Sequence, residues 1–241
     1  MTNQTQSNSI QKTARFAGLM YLILAICGGF AEFAIRQGMI VPGDAAATVA
    51  NIQASEMLFR LGFVAELVGQ VVFVFLVLAL YRILKPVDKK QADLMLVLVI
   101  VAVTITCLNM LNQFAALLVL NGGSTYLSVF ATEQLNALVL LFLNMHHVGY
   151  LIAQIFFGLW LFPLGYLIVK SGFMPKLVGI MLMVACVGYL ADFFLFFLYP
   201  GFPVVVSEFT FIGELLLMLW LLIKGVNVEK WQKQILATEI A

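Results

Sequence analysis

Apolar residues run on far longer than a globular helix needs, and the polar positions that interrupt them come in clusters. Windows of roughly 20 apolar residues, the length that crosses a hydrocarbon core of about 30 Å, recur six times, near 16–35, 59–84, 93–120, 147–169, 177–198 and 208–224. From Val71 to Leu80 every position is apolar, whereas a membrane β-strand alternates polar and apolar residues. The pattern therefore predicts an all-α, polytopic membrane bundle of six transmembrane helices. Pro86, Gly122 with Gly123, Gly172 with Pro175, and Pro200-Gly201-Phe202-Pro203 punctuate the runs where turns are needed. Residues 1–14 read as a disordered tail, 15–225 as the membrane domain and 226–241 as a second tail.

The fourth run is too long for one span, because Leu135 to Val169 would extend about 52 Å as a single helix. Either it projects beyond the membrane, or it breaks near Asn144 to Gly149 into an interfacial helix followed by the span. The polar Asn144, His146 and His147 with Gly149 favour the break.

Composition fits the same class. The 241 residues are 63% hydrophobic and only 10% charged, far below the quarter charged residues of a soluble domain. The lipid bilayer is the obligatory partner, and a net charge of +1 offers nothing to a nucleic acid. Cys27, Cys107 and Cys186 all fall in apolar runs, with no CxxC spacing, and read as small core residues. The first apolar run follows Lys12 and Arg15 as a signal peptide would, but the many spans downstream make it a retained helix.

Charge placement predicts orientation. With six spans, the N-terminus, the segments 85–92 and 170–176, and the C-terminus share one side. That side holds 11 of the 13 basic residues and leaves only Arg36 and Arg60 opposite. The positive-inside rule then places both termini in the cytoplasm of a bacterial inner-membrane protein.

The polar residues within the spans crowd the outer half. Glu32 ends the first span, Glu66 and Gln70 follow Arg60 in the second, and Asn109, Asn112 and Gln113 lie late in the third. Asn144, His146, His147, Tyr150 and Gln154 open the fourth, Asp192 ends the fifth, and Glu208 and Glu214 open the sixth. An ionisable group in hydrocarbon costs a few kcal/mol and normally faces the bundle interior or a wet cavity. An outward-opening polar pocket is expected, with Glu32, Arg36, Arg60, Glu66, Asn109, Asn112, His146, Tyr150, Asp192 and Glu214 as candidate ligand-binding residues. Against it stands a purely structural reading in which Arg36 and Arg60 neutralise Glu32 and Glu66.

A parallel repeat relates the first two helices to the last two. Arg15-Phe-Ala-Gly18 with Gly28-Gly-Phe-Ala-Glu32-Phe33 matches Lys176-Leu-Val-Gly179 with Gly188-Tyr-Leu-Ala-Asp192-Phe193. The match continues from Phe63-Val-Ala-Glu66-Leu67 to Phe211-Ile-Gly-Glu214-Leu215, which sets Glu32 against Asp192 and Glu66 against Glu214.

Ile40-Val-Pro-Gly-Asp-Ala-Ala-Ala-Thr48 through Ala54-Ser-Glu-Met-Leu-Phe-Arg60, Leu143-Asn-Met-His146 with Gly149-Tyr150, Pro163-Leu-Gly-Tyr-Leu167 and Gly188-Tyr-Leu-Ala-Asp192 together resemble domain-of-unknown-function family 4386. That resemblance implies an uncharacterised multi-pass bacterial membrane protein. It sets His146, in the Leu-x-x-His-x-x-Gly-Tyr position, above His147. It supplies no activity. From the residues, Asp44 can cap a short helix at Ala45, and Glu56 can pair with Arg60 one turn on, giving a lid over the pocket mouth. Binding or transport of a small ligand or cation is the leading expectation. The alternatives are an intramembrane enzyme using His146, with a metal or as general base on a lipid-like substrate, and a structural or assembly partner.

Overall fold

The chain is described by a computed structural model covering residues 2–121 and 127–240. Among the described residues every regular element is helical. Helix α1 (Thr2–Phe30) passes through a π-helical turn (Ala31–Arg36) into α2 (Gln37–Met39); α3 (Ala45–Ala54), α4 (Glu56–Leu84) and α5 (Lys89–Leu120) follow. Then come α6 (Thr132–Leu159), α7 (Leu161–Ser171), α8 (Lys176–Leu198), α9 (Ser207–Thr210), α10 (Ile212–Ile223) and α11 (Val228–Ile240).

Five stretches are long and apolar enough to cross a membrane: Asn8–Met39, Glu56–Leu84, Lys89–Leu120, Thr132–Ser171 and Lys176–Leu198. Ser207–Ile223 with Val228–Leu236, bent by 98°, adds a sixth if the bent pair counts as one span. Leu108, Leu111, Leu177 and Val187 leave more than half of their surface uncovered by protein, as residues facing lipid do. This is a membrane protein with an all-helical bundle.

The two expected tails are drawn as helix, α1 starting at Thr2 and α11 reaching Ile240. The turn expected at Gly122 and Gly123 lies outside the described residues. The fourth run corrects the sequence reading. Helix α6 runs unbroken through Asn144–Gly149, and the interruption comes at Trp160, between α6 and α7. Pro163 explains the place: it has no N–H to offer the carbonyl four residues back, at Leu159. Within this stretch His146 is buried while Asn144 and His147 are exposed, on an unbroken helix.

The chain forms two compact units. Unit 1 contains the chain up to Leu22, Val72–Val103 and the chain from Ile152 on. Its core includes an aromatic group in which Trp160 packs edge-on against Phe73 at 5.1 Å and lies 6.5 Å from Tyr21. Helices α7 and α8 touch backbone to backbone: a Cβ on Gly165 or on Gly179 would overlap the other's carbonyl oxygen, the close approach that small residues permit between membrane helices.

At one end of unit 1 the basic segments meet. Lys170 donates to Asp88 at 2.8 Å, Gln11 to the Lys224 carbonyl at 2.6 Å, the Asn227 N–H to the Phe173 carbonyl at 3.1 Å, and the Trp231 indole to the Ile83 carbonyl at 3.0 Å. The N-terminal segment, the loops 85–92 and 170–176, and the C-terminal segment thus share one end.

Unit 2 contains Ile23–Val71 and Thr104–Leu151. Ile35, Ile52, Phe59, Ala116, Val139 and Leu143 are among the residues that build its apolar core. Asp44 caps α3 as expected, accepting from the Ala47 N–H at 2.9 Å. Thr48, wholly buried, bonds the Val41 backbone and closes the turn before α3.

Candidate functional site

The site of unit 2 begins at the π turn. Past Phe30 the hydrogen bonding lengthens by one residue, and the Gln37 N–H reaches the Glu32 carbonyl five positions earlier. Such turns are rare inside α-helices and recur at functional sites. Arg36 leaves the turn with its Nε donating to Glu32 Oε2 at 2.6 Å and its Nη1 donating to Glu66 Oε2 at 3.3 Å. Its guanidinium lies 5.2 Å from the centre of the Tyr150 ring, a cation–π contact. Gln37 donates to the second oxygen of Glu32 at 3.0 Å.

Helices α5 and α6 supply the facing wall. Asn109 Nδ2 donates to the His146 carbonyl at 2.7 Å, and Asn112 Nδ2 donates to Asn109 Oδ1 at 3.0 Å. Gly149 makes this possible, because a Cβ there would overlap the Asn109 side-chain amide. His146 is held with its Nε2 3.7 Å from Glu66 Oε1, too far for a direct hydrogen bond. That nitrogen is buried with no partner, as is Oε1 of Gln113. A buried polar atom left unbonded costs about 1–3 kcal/mol, and both of these belong to side chains that line one cavity with Glu66.

Arg36, Glu66, Gln113 and His146 line a cavity whose apolar walls include Ile35, Phe59 and Leu143. The space open to the centre of a water-sized sphere is ≈ 10 Å³, about enough for one water. Glu32 and Glu66 against Arg36 leave one negative charge in excess while the histidines are neutral. The arrangement suits a single compact cation or a hydrogen-bond donor the size of water.

Seven of the ten expected residues come together in unit 2: Glu32, Arg36, Glu66, Asn109, Asn112, His146 and Tyr150. Arg60 instead pairs with Glu56 at 2.6 Å, half-exposed. Asp192 lies in unit 1, where its two oxygens accept from the N–H groups of Val206 and Ser207 at 2.6 and 2.9 Å and cap the start of the last span. Glu214, also in unit 1, accepts from the Tyr21 phenol at 2.7 Å and the Tyr189 phenol at 2.8 Å. Gln113 was not among the expected ligands, although its spacing of four from Asn109 puts both on one face of α5. His147 is exposed, whereas His146 is buried at the cavity. Among the described residues no three His, Cys, Asp or Glu side chains converge as metal ligands would.

Residues 16–225 match the family described as Domain of unknown function (DUF4386). The chain belongs to this family. The DUF4386 match contains every residue of the cavity, from Ala31 to His146. The chain is also similar to an uncharacterized protein of Archaeoglobus fulgidus, 35% identical over 149 residues, which span 61% of this chain and 73% of that protein. No solved structure matches.

Proposed function

We propose that this DUF4386 protein is a multi-pass inner-membrane protein with both termini in the cytoplasm, whose unit 2 site opens outward and binds a small cationic species for transport or sensing. The observation that carries the reading is the cavity among Glu66, His146 and Gln113. It is water-sized, is lined by one carboxylate, Glu66, that Arg36 engages on a single oxygen, and presents two buried polar atoms without partners. Its size disfavours a lipid headgroup, and its donor set disfavours a hydrolytic metal centre. The orientation rests on the four basic segments that share one end of unit 1.

Equilibrium binding on the purified protein tests the reading. Saturable binding of one compact cation per chain, among protons, sodium, potassium and ammonium, is expected, with a loss of tenfold or more in Glu66→Gln. Wild type and Glu66→Gln indistinguishable for all four would overturn it. Cysteine accessibility tests the orientation: Thr48→Cys on α3 should react with an impermeant thiol reagent only after denaturation, whereas Asn51→Cys should react from outside intact cells.

A further inference from the structure

The lone pairs around the cavity specify more than a charge. Arg36 engages only Oε2 of Glu66, leaving Oε1 on the side of His146, 3.7 Å from its unpartnered Nε2. A gap of that length is too wide for a direct hydrogen bond, and one water bonded to both groups by contacts of about 2.8 Å would close it at a tight angle of roughly 80°. Gln113, whose Oε1 is likewise unpartnered, lines the same cavity and supplies an acceptor there. The cavity has room for about one water.

The charged and titratable groups facing this point are few. Glu32 and Arg36 come from the π turn, Glu66 from α4, and His147 and Tyr150 from the same helix as His146, while α5 contributes the neutral Asn109 and Gln113. With both histidines neutral the group carries one negative charge too many. A single added proton balances it, and no metal-ligand cluster is needed.

Resting on the cation-binding reading above, we infer that the cation is a proton, held jointly by Glu66 and His146 through one bridging water. In one state the proton is on Oε1 of Glu66. In the other the Oε1–H bond breaks toward the water while one of the water's own O–H bonds breaks toward Nε2. Glu66 becomes carboxylate, His146 becomes imidazolium, and the water is regenerated. Atoms and charge balance with no further reactant. Arg36, fixed on the other carboxylate oxygen by its bonds to both glutamates, keeps Oε1 turned toward the exchange.

Infrared difference spectra between acid and neutral pH, on the purified full-length protein in light and heavy water, test this. A protonated-carboxyl band and an imidazole band are expected to rise in the same pH step. Glu66→Gln should remove the carboxyl band completely and alter the imidazole band; His146→Gln should shift the carboxyl band. A carboxyl band unmoved by His146→Gln overturns the shared proton. If neither band responds to pH but sodium, potassium or ammonium binds at one per chain and is lost in Glu66→Gln, the proton inference falls and the cation site stands. If nothing binds and neither band responds, both fall. Should a variant fail to fold, nitrogen-labelled histidine in the wild type replaces it: His146 Nε2 must gain its proton in the same step as the carboxyl band moves, and separate steps overturn the proposal.

Discussion

Asn109 bonds the backbone carbonyl of His146 only because the residue three positions on, Gly149, has no side chain to block it. The bond ties α5 to α6 directly behind the imidazole. Gly149→Ala should displace Asn109 and cost about 1–3 kcal/mol, the range for stranding a buried polar group. Most of that cost should vanish in an Asn109→Ala background, since the clash and the bond are then already gone. A double-mutant cycle on thermal stability in detergent measures the coupling. Additive costs would show that Gly149 acts elsewhere.

The Arg36 pairing gives a sharper contrast. Arg36→Met leaves Glu66, whose side chain is 7% exposed, buried without its cation, and breaking such a pair costs about 3–5 kcal/mol. Arg36→Met with Glu66→Leu removes both charges and should recover most of the loss, though not cation binding. A double variant as unstable as Arg36→Met alone would mean that the arginine stabilises by its contacts with Glu32 and Tyr150.

Glu214 is gripped by two phenols. Tyr21→Phe and Tyr189→Phe should each cost about 0.5–1.5 kcal/mol, the net worth of an ordinary hydrogen bond. Each cost should shrink when Glu214 is already replaced by Gln. Equal Tyr→Phe costs in both backgrounds would mean that the hydroxyls act through something other than Glu214.

Asp192 acts as a cap delivered from another helix. Asp192→Ala frees the Val206 and Ser207 N–H groups and should cost about 1–2 kcal/mol. Hydrogen exchange should quicken at those amides while the middle of α10 stays protected. Uniform quickening throughout α10 would refute a local capping role.

Acid stability should carry one signature from the basic end. The hydrogen bond from Lys170, helped by the Gln91 N–H, holds the Asp88 carboxyl below its ordinary value. A lowered folded value means that the stabilisation is complete above the ordinary carboxylate value of about 4 and is lost as pH falls through the lowered one. Asp88→Asn should therefore melt slightly below wild type at neutral pH and converge on it in strong acid. A gap that widens in acid would reverse the sign.

What could be read in the sequence was what depends on neighbours along one helix. Long apolar runs located the spans, Asp44 announced the start of α3, and Glu56 found Arg60 one turn away. The basic residues predicted that loops 85–92 and 170–176 share a side, and Lys170 bonds Asp88. Depth along the chain also gathered seven candidates around the Glu66 region. Apart from the pairing of Arg36 with Glu32 and Glu66, which the structural reading anticipated, partners far off in sequence were invisible. Glu32 and Asp192 align in the internal match, yet one takes a guanidinium and the other two backbone N–H groups. Glu66 and Glu214 likewise align, one facing Arg36 and the other two phenols. Polarity at Asn144–Gly149 resembled a helix end because a helix that buries His146 and exposes Asn144 and His147 looks like a frayed terminus in one dimension. No propensity rule foretells a π turn.

That turn holds one residue more than regular winding would. An α-helix turns about 100° per residue, whereas the i→i+5 bonding of a π turn takes up an extra residue with little further rotation. Deleting one residue between Ala31 and Arg36 should therefore restore regular winding without turning Tyr21 before the turn, or Met39 after it, to a new face; both are buried. Single-residue deletions walked along the span should accordingly cost less stability across these six positions than elsewhere in the helix, while moving Arg36 off its bonds to Glu32 and Glu66.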